Sequence, residues 1–184
     1  MAYNVPSYDT TRFSFGPGIL YMGAPGTTPL VDIGAVKGNA EFSVERTILK
    51  VEQGSPKSLI AQYVTKEEVK LKVNGIEWDL DNLAYILGAG VTAGIGGVSE
   101  TLEFGGNMAM TNRALRFVHR APDGSTIDLH IFNSQGSGKI AVSFSEDDTH
   151  EFPFEFQALE GTTDFTNQAL AANKKLFKII RTKA

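Results

Sequence analysis

The chain has 184 residues, enough for one domain with extended arms, and 42% of them are hydrophobic, enough to fill a core. It contains no cysteine, which excludes a disulfide framework, thiolate chemistry and a Cys-ligated metal. Charge is uneven: the last eleven residues hold Lys174, Lys175, Lys178, Arg181 and Lys183 and no acid, so a formal total of −4 leaves residues 1–173 at −9. A body of that sign lacks the Lys and Arg excess by which proteins neutralise phosphates, so nucleic-acid binding by it is excluded.

No basic segment followed by an apolar run opens the chain, so no signal peptide is expected. The two longest uncharged runs, residues 13–31 and 82–99, are interrupted by four glycines and three prolines and by five glycines, so neither suits a membrane span.

Residues 1–17 carry Tyr3, Tyr8, Phe13 and Phe15 without a sustained period, and Pro6 and Gly16-Pro17-Gly18 break regular structure. They read as an extended arm whose aromatics need cover from this domain or from a partner. A short strand is expected over residues 18–23, a turn at Gly26 and Pro29, and a second strand over 30–35. Residues 40–49 then alternate cleanly: Phe42, Val44 and Ile48 share one face, Glu41, Ser43, Glu45 and Thr47 the other. Residues 68–74 do the same, with Val69, Leu71 and Val73 against Glu68, Lys70 and Lys72. Period two means half-buried strands with one wet face, and Glu41 and Glu45 would pair with Lys70 and Lys72 if the strands are neighbours.

Between these strands, residues 53–66 read as a long connection. Gly54 and Pro56 break it, yet Leu59, Ile60, Tyr63 and Val64 make it too apolar for disorder. These side chains are buried either on the domain's own core or by another subunit.

One helix is expected over residues 79–87. Asp79 or Asp81 serves as N-cap, Leu80, Leu83, Ala84 and Leu87 form the apolar stripe, and Gly88 sits where a C′ glycine belongs. Residues 88–106 hold seven of the 19 glycines and read as a crossing with a short strand at 100–104. Four alternating segments follow, centred on Leu115 and Phe117, on Ile127, Leu129 and Ile131, on Ile140, Val142 and Phe144, and on Phe152, Phe154 and Phe156. Asp123-Gly124 and Gly136-Ser137-Gly138 read as hairpin turns, and Pro153 implies a sheet edge or a bulge. The apolar run at 176–180 is too short to assign. The pattern predicts a mainly β fold, a sandwich or barrel of two packed antiparallel sheets with one flanking helix. The domain spans residues 18–173, with the arm at 1–17 before it and a basic segment at 174–184 after it. That segment is either a solvated face or a dock for an acidic neighbour.

Catalytic motifs are weak. Gly136-Ser137-Gly138-Lys139 resembles the end of a phosphate loop, but Asn133 stands where a glycine is needed and the segment joins two strands. Gly88-x-Gly90 follows a helix, which does not suit a dinucleotide fingerprint. His119, His130 and His150 fall on separate strands or their edges, and only Asp128 and His130 share a face that a third metal ligand would complete. Glu146-Asp147-Asp148 lacks the spacing of a calcium loop. No catalytic, cofactor or metal residue is assigned, and a non-enzymatic protein is expected.

The run Val31-Asp32-Ile33-Gly34-Ala35-Val36-Lys37-Gly38-Asn39-Ala40 with Phe42-Ser43-Val44-Glu45-Arg46, then Val51-Glu52-Gln53-Gly54, Gln62-Tyr63 and Asp81-Asn82-Leu83 to Leu87-Gly88, resembles the major tail tube proteins of long-tailed, non-contractile bacteriophages. So does His150-Glu151-Phe152-Pro153-Phe154-Glu155-Phe156-Gln157-Ala158. The likeness covers roughly residues 18–90 and 112–160 and lies in the order and spacing of small pieces. It implies a structural virion protein of the tail, assembled in the host cytoplasm. Hexameric rings of it would stack around a tape-measure protein, between tail-tip and tail-terminator proteins, and DNA would later pass through the lumen without specific binding. It implies that residues around Leu59, Ile60 and Tyr63 contact the adjacent ring. It also implies that the arm bearing Tyr3, Tyr8, Phe13 and Phe15 reaches neighbours, and that acidic residues line the lumen, for which Glu41 and Glu45 are the candidates. A tube subunit of a contractile tail, bacteriocin or secretion apparatus fits the same physics. A stand-alone ligand-binding β-barrel is the alternative of a different class.

Overall fold

A computed structural model describes residues 18–34, 36–37, 40–77, 79–87, 90–93, 99–106, 110–137 and 151–183. Expectations for the arm at 1–17, for Gly88, for the strand around Ile140, Val142 and Phe144, and for Glu146-Asp147-Asp148 and His150 lie outside the described residues.

The fold is mainly β, with one short helix among the described residues. The strands are β1 (Gly18–Gly23), β2 (Val31–Asp32), β3 (Glu41–Gln53), β4 (Ser58–Gly75), β5 (Gly90–Ala93), β6 (Glu100–Glu103), β7 (Arg113–Arg120), β8 (Thr126–Ser137), β9 (Phe152–Ala158) and β10 (Phe177–Thr182), with α1 (Leu80–Leu87) between β4 and β5. Eight strands form one antiparallel sheet in the order β2-β1-β7-β8-β9-β4-β3, with β10 also on β8; β5 and β6 pair separately.

β8 forks this sheet. Along its first half β10 lies beside it, from Thr182 opposite Thr126 to Phe177 opposite Ile131, and along its second half β9 takes that place, from Ala158 opposite Ser134. At the fork β8 carries an extra residue relative to β7, since Leu115 faces Ile131 but Arg113 faces Ser134. Such a bulge bends a strand and swaps the faces of the residues beyond it. The hydrogen bonding is therefore continuous where two separate sheets were expected, and the sheet wraps its own core.

That core is built by period-two alternation. Leu20 and Met22 from β1, Leu115 from β7, Leu129 and Ile131 from β8, Phe154 and Phe156 from β9, and Val69, Leu71 and Val73 from β4 are buried together. Each large apolar side chain so buried contributes about 1.5–3 kcal/mol. Phe42 of β3 meets Phe177 of β10 edge to face, with ring centroids 5.1 Å apart, so the two branches of the fork touch across the core. On the opposite face Ala114, Phe132 and Phe165 form a smaller cluster, covered by the irregular residues 159–176. Asp164 organises that cover: its Oδ1 accepts the N–H groups of Thr166 (2.8 Å) and Gln168 (2.9 Å) and the Thr166 hydroxyl.

Local chemistry explains the element ends. Asp79 Oδ1 accepts the N–H groups of Asp81 (2.9 Å) and Asn82 (3.1 Å), the N-cap geometry, while Leu83, Tyr85 and Ile86 pack on the core. Of the expected stripe, Ala84 is buried and Leu83 packs on the core; Tyr85 and Ile86 join it there, and Leu80 and Leu87 are half-buried. At the other end Arg113 donates to the Tyr85 carbonyl (3.1 Å) and lies over its ring, so a β7 cation caps the negative end of the helix. β2 stops after two residues because Asp32 Oδ1 accepts the Gly34 N–H (3.0 Å) in a turn, shorter than the strand expected over 30–35. Asp123-Gly124 forms its turn as expected, with Gly124 at φ 82°. Gly136 and Ser137 do not: they continue β8 opposite Phe156 and Glu155. Residues 177–182 of the basic segment are a strand of the main sheet.

Candidate functional site

The largest departure from the sequence reading is β3 and β4 themselves. They are 13 and 18 residues long, against about five or six for an ordinary strand. The connection expected over residues 53–66 is a turn at residues 54–57 followed by the first half of β4. Gly54 sits at φ 100° in that turn, a conformation open to glycine. β9 accompanies β4 only from Lys70 to Gly75. Beyond that point the two strands run on as a two-stranded ribbon.

Register fixes what each face of the ribbon carries, because directly opposed residues share a face. At the base the inner face holds Phe42 opposite Leu71 and Val44 opposite Val69; Phe42, Leu71 and Val69 pack on the core. The outer face holds Glu41 opposite Lys72, Ser43 opposite Lys70, Glu45 opposite Glu68 and Thr47 opposite Lys66. The register then shifts twice, leaving Thr65 and Ile60 as extra residues on β4. Past the first shift the inner face carries Ile48 opposite Val64, Lys50 opposite Gln62 and Glu52 opposite Leu59. The outer face carries Leu49 opposite Tyr63 and Val51 opposite Ala61. Charge on the outer face gives way to apolar side chains, while the inner face, which carries Arg46 opposite Glu67 above Val44, goes on to mix Ile48, Val64 and Leu59 with Lys50, Gln62 and Glu52.

Among the described residues, eight of the 14 exposed large hydrophobics are on this hairpin: Val44, Ile48, Leu49, Val51, Leu59, Ile60, Tyr63 and Val64. Leu59 is 49% exposed, and Ile60 and Tyr63 are each 60% exposed. The structure therefore brings together the three residues expected to form a contact loop, on a strand rather than a loop, and not on this domain's own core. Val44 and Ile48, expected to share the buried face of β3 with Phe42, are both exposed. Sequence reasoning missed Ile48, Leu49 and Val51 as members of the patch. The signal was present: adjacent apolar pairs at 48–49, 59–60 and 63–64 place greasy side chains on both faces of a strand.

Glu41 and Glu45 are exposed on the outer face at the ribbon base. Glu41 reaches Lys72 at 4.0 Å, while Glu155 of β9 reaches Lys72 at 3.9 Å and Lys70 at 3.6 Å. Glu45 does not pair with Lys70; it lies opposite Glu68, whose own partner is Lys66 at 2.6 Å. The Lys66 hydrogen bond holds the Glu68 carboxyl below the ordinary carboxylate range. Four acids against three lysines make this face nearly neutral, not strongly acidic.

Asp128 and His130 share a face, with their nearest atoms 3.0 Å apart, and the third group there is Arg116, which grips Asp128 through Nε and Nη2 at 2.7–3.1 Å. Burial would raise the Asp128 pKa, but the hydrogen bonds from Arg116 and the adjacent His130 ring outweigh it and hold the carboxyl below its usual value. A cation in the third position turns the pair into an ion-pair lock on β7 and β8, not a metal cradle. Among the described residues no cluster of three or more His, Asp or Glu has metal-ligand geometry. A cleft of about 590 Å³ opens at the ribbon base between Arg46, Lys66 and residues 172–177. Its charges are largely paired, Arg46 with Glu67 (2.8 Å) and Lys175 with Glu160 (3.0 Å). No helix among the described residues is long and apolar enough to cross a membrane.

A scan against protein-family models and a search of curated proteins find no match to this chain.

Proposed function

We propose that the chain is the repeating subunit of a bacteriophage tail tube of the long, non-contractile kind, a structural virion protein. Six-membered rings of it stack around a tape-measure protein, between tail-tip and tail-terminator proteins, and later conduct DNA. The observation that carries this reading is the ribbon beyond Thr47. Two strands alone are marginally stable in water, and this pair exposes apolar side chains on both faces, so it is a surface built to be covered. A wall of stacked copies covers it, and pairing between copies also closes the long free edges of β3 and of β4 before Lys70, which would otherwise invite aggregation. The resemblance of residues 18–90 and 112–160 to tail tube proteins supplies the kind of assembly. The net charge of −9 over residues 1–173 suits a conduit that must release DNA. Repulsion does not come from the Glu41 and Glu45 face alone, because the lysines there nearly balance it.

Negative-stain microscopy of the purified, concentrated chain tests the reading: hollow tubes or stacked rings are expected. Replacing Leu59, Ile60 and Tyr63 together with Ser is expected to abolish them while the circular dichroism of the subunit stays unchanged. A wild-type chain that remains monomeric at every concentration overturns the proposal.

A further inference from the structure

We infer that the ribbon is a two-faced connector, with each face covered by a different copy of this chain. The inference rests on the self-assembly proposed above and adds the geometry of the contact. Past the first register shift the inner face presents Ile48, Leu59 and Val64 and the outer face presents Leu49, Val51 and Tyr63, three large side chains on each, all between 37% and 60% exposed. With Ile60, and at ~150–250 Å² for a large side chain, their exposed area is on the order of 700 Å². Summed over both faces, that approaches the ~800 Å² that one partner gives to a stable interface. Each face alone offers only about half of this, too little for a stable pair by the same measure. Only when both faces are covered at once does the buried area come near that requirement.

Symmetry then selects the occupant. A closed two-fold dimer joined through one face leaves three large apolar residues of the other face in water, on both of its members. An open, head-to-tail arrangement of identical copies covers both faces of every ribbon with the same two surfaces repeated. The register shifts at Thr65 and Ile60 are what build the two faces. The first, at Thr65, brings Tyr63 opposite Leu49 and Ala61 opposite Val51 on the side that is charged nearer the base; the second, at Ile60, brings Leu59 opposite Glu52 on the inner face.

The absence of cysteine makes the test direct. Ala61→Cys labels the outer face and Gln62→Cys the inner face, without removing a large apolar side chain. Each variant, and the double variant, is coupled to a thiol-reactive photo-crosslinker, diluted into a large excess of wild-type chain, assembled and illuminated. Each single variant is expected to give crosslinked dimers, and the double variant trimers. Dimers only from the double variant, with assemblies intact, mean that one copy encloses both faces and overturn this inference alone. The inference is also overturned if either single variant fails to crosslink within intact assemblies. No assemblies and no crosslinked product at all overturn it together with the proposed function.

Discussion

The base and the tip of the β3–β4 ribbon are the same two strands held by different physics. At the base one face is anchored: Val69, Leu71 and Val73 are at most 1% exposed, and β9 supplies a third strand. At the tip no third strand among the described residues joins the pair and neither face is anchored, though the residues are as apolar. The difference teaches that hydrophobicity along a strand reports what will be buried, not which molecule buries it. At the base the chain buries its own side chains; at the tip it leaves them for something else.

If that division holds, truncations at the base must cost folding and truncations at the tip must not. The largest effect is expected from Phe156→Ala. Phe156 is fully buried at the junction of β4, β8 and β9, and its loss should cost about 3–5 kcal/mol, read as a lower urea midpoint in dilute subunit. A Phe156→Ala protein with wild-type stability would break the comparison at its stronger end.

Next comes Asp128→Asn, which leaves Arg116 without its partner. Side-chain exposures of 33% for Arg116 and 14% for Asp128 put the pair between surface and interior. A cost of about 1–3 kcal/mol is expected, below the ~3–5 of a fully buried pair because water still screens the guanidinium. Its pH dependence has a definite sign. The folded carboxyl is held below its unfolded value of about 3.9, so its contribution is complete above that pH and lost as pH falls through the folded value. The stability gap between wild type and variant should therefore close on acidification below about pH 4, measured by urea titration at each pH.

What was readable in the sequence follows the same division. Clean alternation at Val69, Leu71 and Val73 and at Phe152, Phe154 and Phe156 marks strands whose buried face belongs to this chain, and the Asp79 cap marks the helix. The tip was not readable as strand because the extra residues at Thr65 and Ile60 interrupt period two, and Gly54 and Pro56 add a turn signal beside them. The apolar content of Leu59, Ile60 and Tyr63 was legible and so was their need for cover; their place on a ribbon was not. The fork at β8 was hidden for another reason. Which strand lies beside Ile131 or Ser134 is decided by pairings with Phe177 and Ala158, 46 and 24 positions away, which local pattern does not encode. β10 was obscured because Phe177 and Ile179 alternate with Lys178 and Ile180 over too few residues to define a face.

Asp79→Ala sharpens the comparison from the helix side. It removes two capping hydrogen bonds and should cost about 1 kcal/mol, seen as a lower urea midpoint with no effect on assembly, since α1 packs on the core and not on the ribbon.

The smallest expected effect lies where base meets tip, at Glu45. Its carboxylate stands directly opposite that of Glu68, and like charges in opposed positions destabilise a strand pair. Glu45→Lys would place a cation there, next to the Lys66 and Glu68 pair, and is expected to raise the stability of the dilute subunit slightly. Because the site is exposed, the gain should shrink as salt is raised toward 1 M, where the screening length falls to about 3 Å. A gain that survives high salt would mean that Glu45 acts through packing. A loss of stability would mean that the glutamates are not neighbours and that the register of the ribbon base, from which the identity of both tip faces follows, is wrong.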